Sequence, residues 1–213
     1  YTTLFRSRPQ RLATFVWGLS ALMVRETGLK NLADLARLLS KQNREALTLP
    51  FAESPLDLEV RALLRKLLPG KEVPIINAPL LQTFASFHQG KIAAAVLPEP
   101  MATVLEMSGE AFRLADIVEL QRQATGRAHS PQVALFMGQE KNPPPDFMAQ
   151  FEESILRIRI AAAADLRHVA EGLAIGQPAL ERALSHAIFE LPAAEEVRAR
   201  EEIYATLLAG KIS

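Results

Sequence analysis

The sequence of 213 residues contains no cysteine, which rules out a disulfide framework and thiolate chemistry and fits either a reducing or an oxidising compartment. It carries no net charge, with Lys+Arg 24 against Asp+Glu 24, so nothing in its electrostatics draws it to nucleic acid or to an anionic membrane. No apolar run is long enough to cross a bilayer: even Ala161 to Ala164 is flanked by Arg157, Arg159, Asp165 and Arg167. His88, His129, His168 and His186 are scattered, with no pair at metal-ligand spacing. There is no phosphate loop, nucleophile elbow or Ser/His/Asp grouping, and no internal repeat. Catalytic residues, metal and cofactor are accordingly all expected to be absent.

What the chain does contain is a succession of short apolar strands and amphipathic helices, sufficient for one or two α/β lobes. Residues 1–7, Tyr1 to Ser7, match one reading frame of a common sequencing adapter codon for codon and are read as an artefact, outside the fold. On that reading the true N-terminus and any signal peptide are lost. Arg11 to Val24, rich in branched and aromatic residues, is expected as one long strand bent at Gly18, or as two short ones. Trp17, the only tryptophan, lies beside that bend as a candidate pocket wall, with ordinary core as the alternative. Leu32, Leu35, Leu38 and Leu39 mark a helix, and Ala46 to Phe51 a strand.

Two stretches carry the functional signal. In the first, Ser54 as N-cap, Pro55 at the first helical position and Asp57 three residues after the cap form a helix start. Leu56, Val60, Leu63, Leu64 and Leu67 make its apolar stripe, closed by Pro69-Gly70. Glu53 and Asp57 place negative charge at this helix N-terminus and tilt the expected ligand away from anions. In the second, Ile92 to Val96 reads as a buried strand that ends in Pro98-Glu99-Pro100, presenting Glu99 at a strand end. Between them lie the short strand Val73 to Asn77 and a helix through Leu80 and Phe87. The order strand, helix, strand, helix, strand demands a parallel sheet, with Phe51 to Ser54, Asn77 and Glu99 at its strand ends.

Further on, Met101 to Met107 is expected as a helix, Leu114 to Leu120 is ambiguous between strand and helix, Arg122 to Ser130 reads as loop, and Pro131 to Met137 as strand. Asp146 is a candidate cap for a helix through Phe147, Phe151, Ile155, Ile158 and Ala162. Helices follow over Asp165 to Ala174 and Pro178 to His186, and from Pro192 to Gly210. The run Glu195-Glu196, Arg198, Arg200, Glu201-Glu202 reads as a solvated helix face.

The stretches Ser54 to Leu64, Gly90 to Pro100, Trp17-Gly18 followed by Asn31 to Leu35, and Phe189 to Glu195 resemble the nitrate/sulfonate/taurine class of ABC-transporter substrate-binding proteins. Ala93, where such proteins usually carry Asp, and the stretch Ser40 to Arg44, where they carry a Gly-containing turn, depart from the pattern. The resemblance implies an α/β, two-lobed periplasmic-binding-protein-like fold with one complete and one incomplete lobe, N-terminally truncated. Residues 8–24 would be the first crossing segment, 25–130 the second lobe, and 131–213 the mostly helical return to the first. It implies a monomeric receptor, not an enzyme, periplasmic or lipid-anchored, that takes a small polar solute between its lobes and delivers it to ABC permease subunits. The ligand-binding residues expected are Glu99 as acceptor, Ser54 and nearby backbone N–H groups as donors, Trp17 as a stacking wall, and Glu53, Asn77 and Pro100 beside them. Two alternatives share the fold: a thiamine-pyrimidine-synthase-like enzyme, disfavoured by the missing cysteines, and the ligand-sensing effector domain of a transcription regulator.

Overall fold

A computed structural model describes residues 10–41, 46–137, 143–160 and 163–210. Residues 1–7, the altered stretch through Arg44 and the position of Ala162 fall wholly or partly outside them. The bend expected at Gly18 divides the first segment into β1 (Gln10–Val16) and β2 (Ser20–Val24), which belong to different sheets. A side chain at Gly18 would bring its Cβ to 3.2 Å from Cβ of Val118, so a larger residue would press this crossing against the neighbouring helix.

The main sheet has five strands in the order β4-β3-β5-β2-β6, formed by β3 (Leu47–Pro50), β4 (Ile75–Ala78), β5 (Ala94–Pro98) and β6 (Phe112–Asp116) together with β2. The expected parallel unit is present, since β3 pairs in parallel with both β4 and β5. Into it is inserted β2, antiparallel to β5 on one side and to β6 on the other. The strand expected over Ile92 to Val96 is shifted to Ala94–Pro98, so that it runs to the Pro98-Glu99-Pro100 corner itself.

Helices α1 (Leu32–Lys41) and α2 (Pro55–Leu67) bury their leucine stripes against one sheet face, where Leu35, Leu39, Val60 and Leu63 meet Leu22, Leu47, Leu49 and Val96. On the opposite face Phe87 of α3 (Leu80–His88) and Leu105 of α4 (Met101–Met107) pack with Ala21, Met23, Ala95 and Leu97. Each fully buried large aliphatic side chain contributes about 1.5–3 kcal/mol, and alternation along β2 and β5 supplies both faces from the same strands. The ambiguous stretch Leu114 to Leu120 is both things in turn: β6 ends at Asp116 and α5 (Ile117–Thr125) starts directly after it. Arg122 to Thr125, expected in a loop, is therefore helical, and Gly126 at φ 75° closes the helix.

The second sheet is small. β7 (Val133–Met137) pairs antiparallel with β1, and α6 (Phe147–Arg159) packs on the ribbon through Phe151, whose ring meets Phe15 edge-on at 5.0 Å. Asp146 occupies the N-cap of α6 but its side chain makes no cap bond, because its backbone (φ −94°, ψ 0°) lacks the extended geometry of a capping residue. Ile155 is buried, whereas Ile158 of the expected stripe is half-exposed. Three helices complete the chain, α7 (Ala163–Gly172), α8 (Gln177–His186) and α9 (Ala194–Leu208). The last two also lie against the main sheet's helices: Arg182 of α8 donates to Glu106 of α4 at 2.7 Å, and Leu207 of α9 enters the core beside α2. The expected solvated face of α9 is only partly so. Arg200 is 6% exposed, bonded to Glu190 and Glu196, with its guanidinium 4.7 Å above the Trp17 ring.

Candidate functional site

The register of the main sheet sends four strands to one edge. Ser20, at the start of β2, pairs with Pro98 at the end of β5, and Ala21 pairs with Asp116 at the end of β6, while β3 and β4 run parallel to β5. At that edge each strand turns into a helix N-terminus: β3 into α2, β4 into α3, β5 into α4 and β6 into α5. First-turn N–H groups and the positive ends of four helix dipoles thus gather on one rim, beside the Trp17 to Leu19 crossing.

The β3–α2 turn is built as its sequence implies. Ser54 has extended backbone geometry and its Oγ accepts from Asp57 N–H at 3.2 Å. Asp57 turns back to accept from the N–H of Glu53, the residue before the cap, at 3.0 Å, and also accepts from Arg61 at 2.9 Å and Asn77 at 3.0 Å. Burial would raise the Asp57 carboxyl, yet the bonds from Asn77, Glu53 N–H and Arg61 outweigh it and hold the group below its ordinary value. Phe51 and Glu53 both sit at positive φ, 54° and 58°, in a tight turn that leaves the Phe51 ring exposed at the rim. Glu53 is exposed as well. Asn77, on the next strand end, is spanned between Asp57 and Arg61, its Oδ1 accepting from Arg61 at 3.1 Å.

Glu99 lies at this rim, but its carboxylate faces inward. Its side chain is 3% exposed, with Oε1 held by Arg113 and Oε2 accepting from Thr103 N–H in the first turn of α4 at 3.2 Å. Arg113 also donates to Glu106 at 3.2 Å, to Asp116 at 2.5 Å and to Thr103 Oγ1 at 3.2 Å, binding β5, α4 and β6 into one polar cluster. His186 of α8 stands 3.4 Å from Asp116. Burial would lower the Arg113 pKa, and the neighbouring Glu99 and Asp116 charges more than offset it, so the guanidinium is held ionised. The residue that sequence reading missed is therefore Arg113. A cation within the apolar strand Phe112 to Asp116, followed three residues later by Asp116, was the available signal. Pro100 follows Glu99 through a cis peptide and starts α4.

Trp17 stands apart. It is fully buried, its indole N–H donates to Glu190 O at 3.3 Å, and Arg200 and His129 lie against its ring. A stacking wall needs an open face, so Trp17 is a core residue of the crossing. The structure thus brings Glu53, Ser54, Asn77 and Pro100 to one rim, tucks Glu99 beneath it, and removes Trp17. It also weakens the expected bias against anions, since Asp57 is paired with Arg61, and Glu99 and Asp116 with Arg113, leaving Glu53 as the exposed acid in the β3–α2 turn. Among the described residues no group of three or more His, Asp or Glu side chains is arranged to hold a metal.

No protein-family model and no curated protein matches the chain. Solved structures do. An ABC transporter protein from Parabacteroides distasonis superimposes with a TM-score of 0.71 at 17% identity, over 94% of this chain and 67% of the other. The likeness is one of fold, and it extends to solved binding proteins. The alkanesulfonate-binding protein SsuA from Xanthomonas axonopodis pv. citri, bound to MOPS, gives 0.64 at 16% identity, over 94% of this chain and 70% of that one. The periplasmic nitrate-binding protein NrtA from Synechocystis PCC 6803 gives 0.59 at 14% identity, over 83% and 49% respectively. In these comparisons the chain spans between 49% and 70% of the solved structures' length.

Proposed function

We propose that the chain is the body of a solute receptor for an ABC importer, which binds a small polar molecule at the rim of the main sheet and delivers it to permease subunits. The observation that supports this most is the convergence of four strand ends and four helix N-termini on one edge, on a fold shared with sulfonate-binding proteins over 94% of the chain. The mechanism is a shift between open and closed arrangements, with no chemical step, in which bound solute stabilises the closed one. The receptor works in the periplasm or tethered to the cell surface, as a monomer.

On this reading the Ser54 hydroxyl and the Leu56 N–H in the first turn of α2 donate to the solute, Glu53 and Asn77 add polar contacts, and Pro100 shapes the floor. Glu99 acts beneath it by fixing Arg113 and the start of α4. A panel containing MOPS, short alkanesulfonates, nitrate, dicarboxylates and amino acids, screened by thermal shift, tests the proposal. At least one class should raise the melting temperature in a concentration-dependent way and be recovered chemically unchanged. Turnover of the solute, or no shift with any class, would overturn the reading.

A further inference from the structure

One buried acid has no place in the rim. Glu59, on the second turn of α2, is 1% exposed, and its Oε2 accepts from Ser130 Oγ at 2.7 Å while Oε1 has no partner. Ser130 belongs to the crossing that leads into β7, and its N–H donates to Trp17 O at 3.0 Å in the other crossing. Two residues on, Gln132 N–H donates to Val16 O at 2.9 Å. The side chains continue the link: Ser20 donates to Gln132 Oε1 at 3.1 Å and Gln132 Nε2 donates to Ser130 Oγ at 3.3 Å. An oriented chain of donors from Ser20 through Gln132 and Ser130 thus spans both crossings and ends on the Glu59 carboxyl.

We propose that Glu59 is a proton-operated latch on the crossings: neutral, it holds α2 against the Ser130 turn, and ionised, it releases that contact. The neutral acid accepts the Ser130 bond and leaves only its own O–H unpaired, a smaller cost than a buried charge. The carboxylate needs several donors or water, and among the described residues Ser130 alone donates to it. Reaching water requires α2 to part from the turn. Burial pushes the Glu59 carboxyl up to about 7, with the Ser130 bond acting in the opposite sense. From α9 the titratable group facing it is Tyr204, whose hydroxyl donates to Pro55 O at 3.1 Å and whose pKa is raised by burial and then by the Glu59 charge. Ser20, Ser130 and Gln132 are neutral. His129, next to Ser130, has its pKa lowered by burial and then by the Arg200 charge. On α2 itself, Asp57 and Arg61 are paired with each other.

The consequence for lobe movement rests on the receptor reading, whereas the latch does not. Amide hydrogen exchange at Ser130 and Gln132, corrected for intrinsic rates and followed from about pH 5 to about pH 7 in the full chain, tests it. Protection should fall about tenfold per pH unit in the wild type and stay constant in Glu59→Gln. Equal pH dependence in both proteins, or none in the wild type, would overturn the latch. Should Glu59→Gln fail to fold, Ser130→Ala gives a second reading through the infrared band of the protonated Glu59 carboxyl. Its midpoint should move upward when the bond that favours the carboxylate is lost, and an unmoved midpoint would contradict the proposal. Loss of pH-dependent exchange with solute binding intact refutes the latch alone, and the converse refutes the receptor alone.

Discussion

The Arg113 guanidinium donates to the buried Glu99 carboxylate across the width of β2, tying the end of β5 to β6 and closing the floor under the rim. Removing one member of such a pair leaves the other charged and dry. Arg113→Met should destabilise the fold by about 3–5 kcal/mol, read from the urea midpoint, because it exposes Glu99, Glu106 and Asp116 to one another. Glu99→Gln should cost less, since Arg113 keeps two other carboxylates. Equal costs would show that Arg113 is not the centre of the cluster.

The pairing shows where the sequence was legible and where it was not. Ser54, Pro55 and Asp57 could be read because a cap is made by residues three positions apart, within one turn. The parallel β3, β4 and β5 unit followed from alternation of strands and helices. Glu99 could be placed at a strand end, but its partner lies 14 residues away with an antiparallel strand between, a contact that no local pattern encodes. Insertion of β2 into that sheet was hidden for the same reason. Trp17 and Arg200 misled in opposite directions, since an aromatic beside glycine suggested a pocket and an arginine among glutamates suggested solvent. Together they form a buried stack that only tertiary packing creates.

The Ser54 cap offers a local test. Ser54→Ala removes the acceptor for Asp57 N–H and should lower stability by about 1 kcal/mol, whereas Ser54→Asp should retain most of it. If Ser54 also donates to a solute, affinity should fall in both variants, because aspartate accepts but does not donate. Equilibrium unfolding and isothermal titration separate the two effects.

For Trp17 the expectation is structural. Trp17→Ala should cost about 3–5 kcal/mol through the cavity it leaves, while the milder Trp17→Phe should leave solute affinity unchanged. A large loss of affinity in a stably folded Trp17→Phe protein would return this residue to the site.

Stability should also vary with pH in a defined direction. Glu59 has its folded pKa raised from 4.5 to about 7, so its contribution is fully present below about 4.5 and is lost as pH rises to about 7. One unit corresponds to about 1.4 kcal/mol, giving a decline of about 3 kcal/mol across the window, which Glu59→Gln should abolish. Asp57 acts oppositely: its lowered pKa gives stability above its unfolded value of 3.8 that is lost on further acidification. Chemical denaturation at a series of pH values should therefore find a maximum between the two regimes.

On the proposed reading, solute binds at the edge where β3, β4 and β5 end. The most direct test is amide hydrogen exchange with and without the panel solute that gives the largest thermal shift. New protection is expected in residues 51–57, 77–82 and 99–103, with little change at the far ends of α2 and α3. Protection confined to the β1 and β7 ribbon, or absent from all three rim segments, would contradict it.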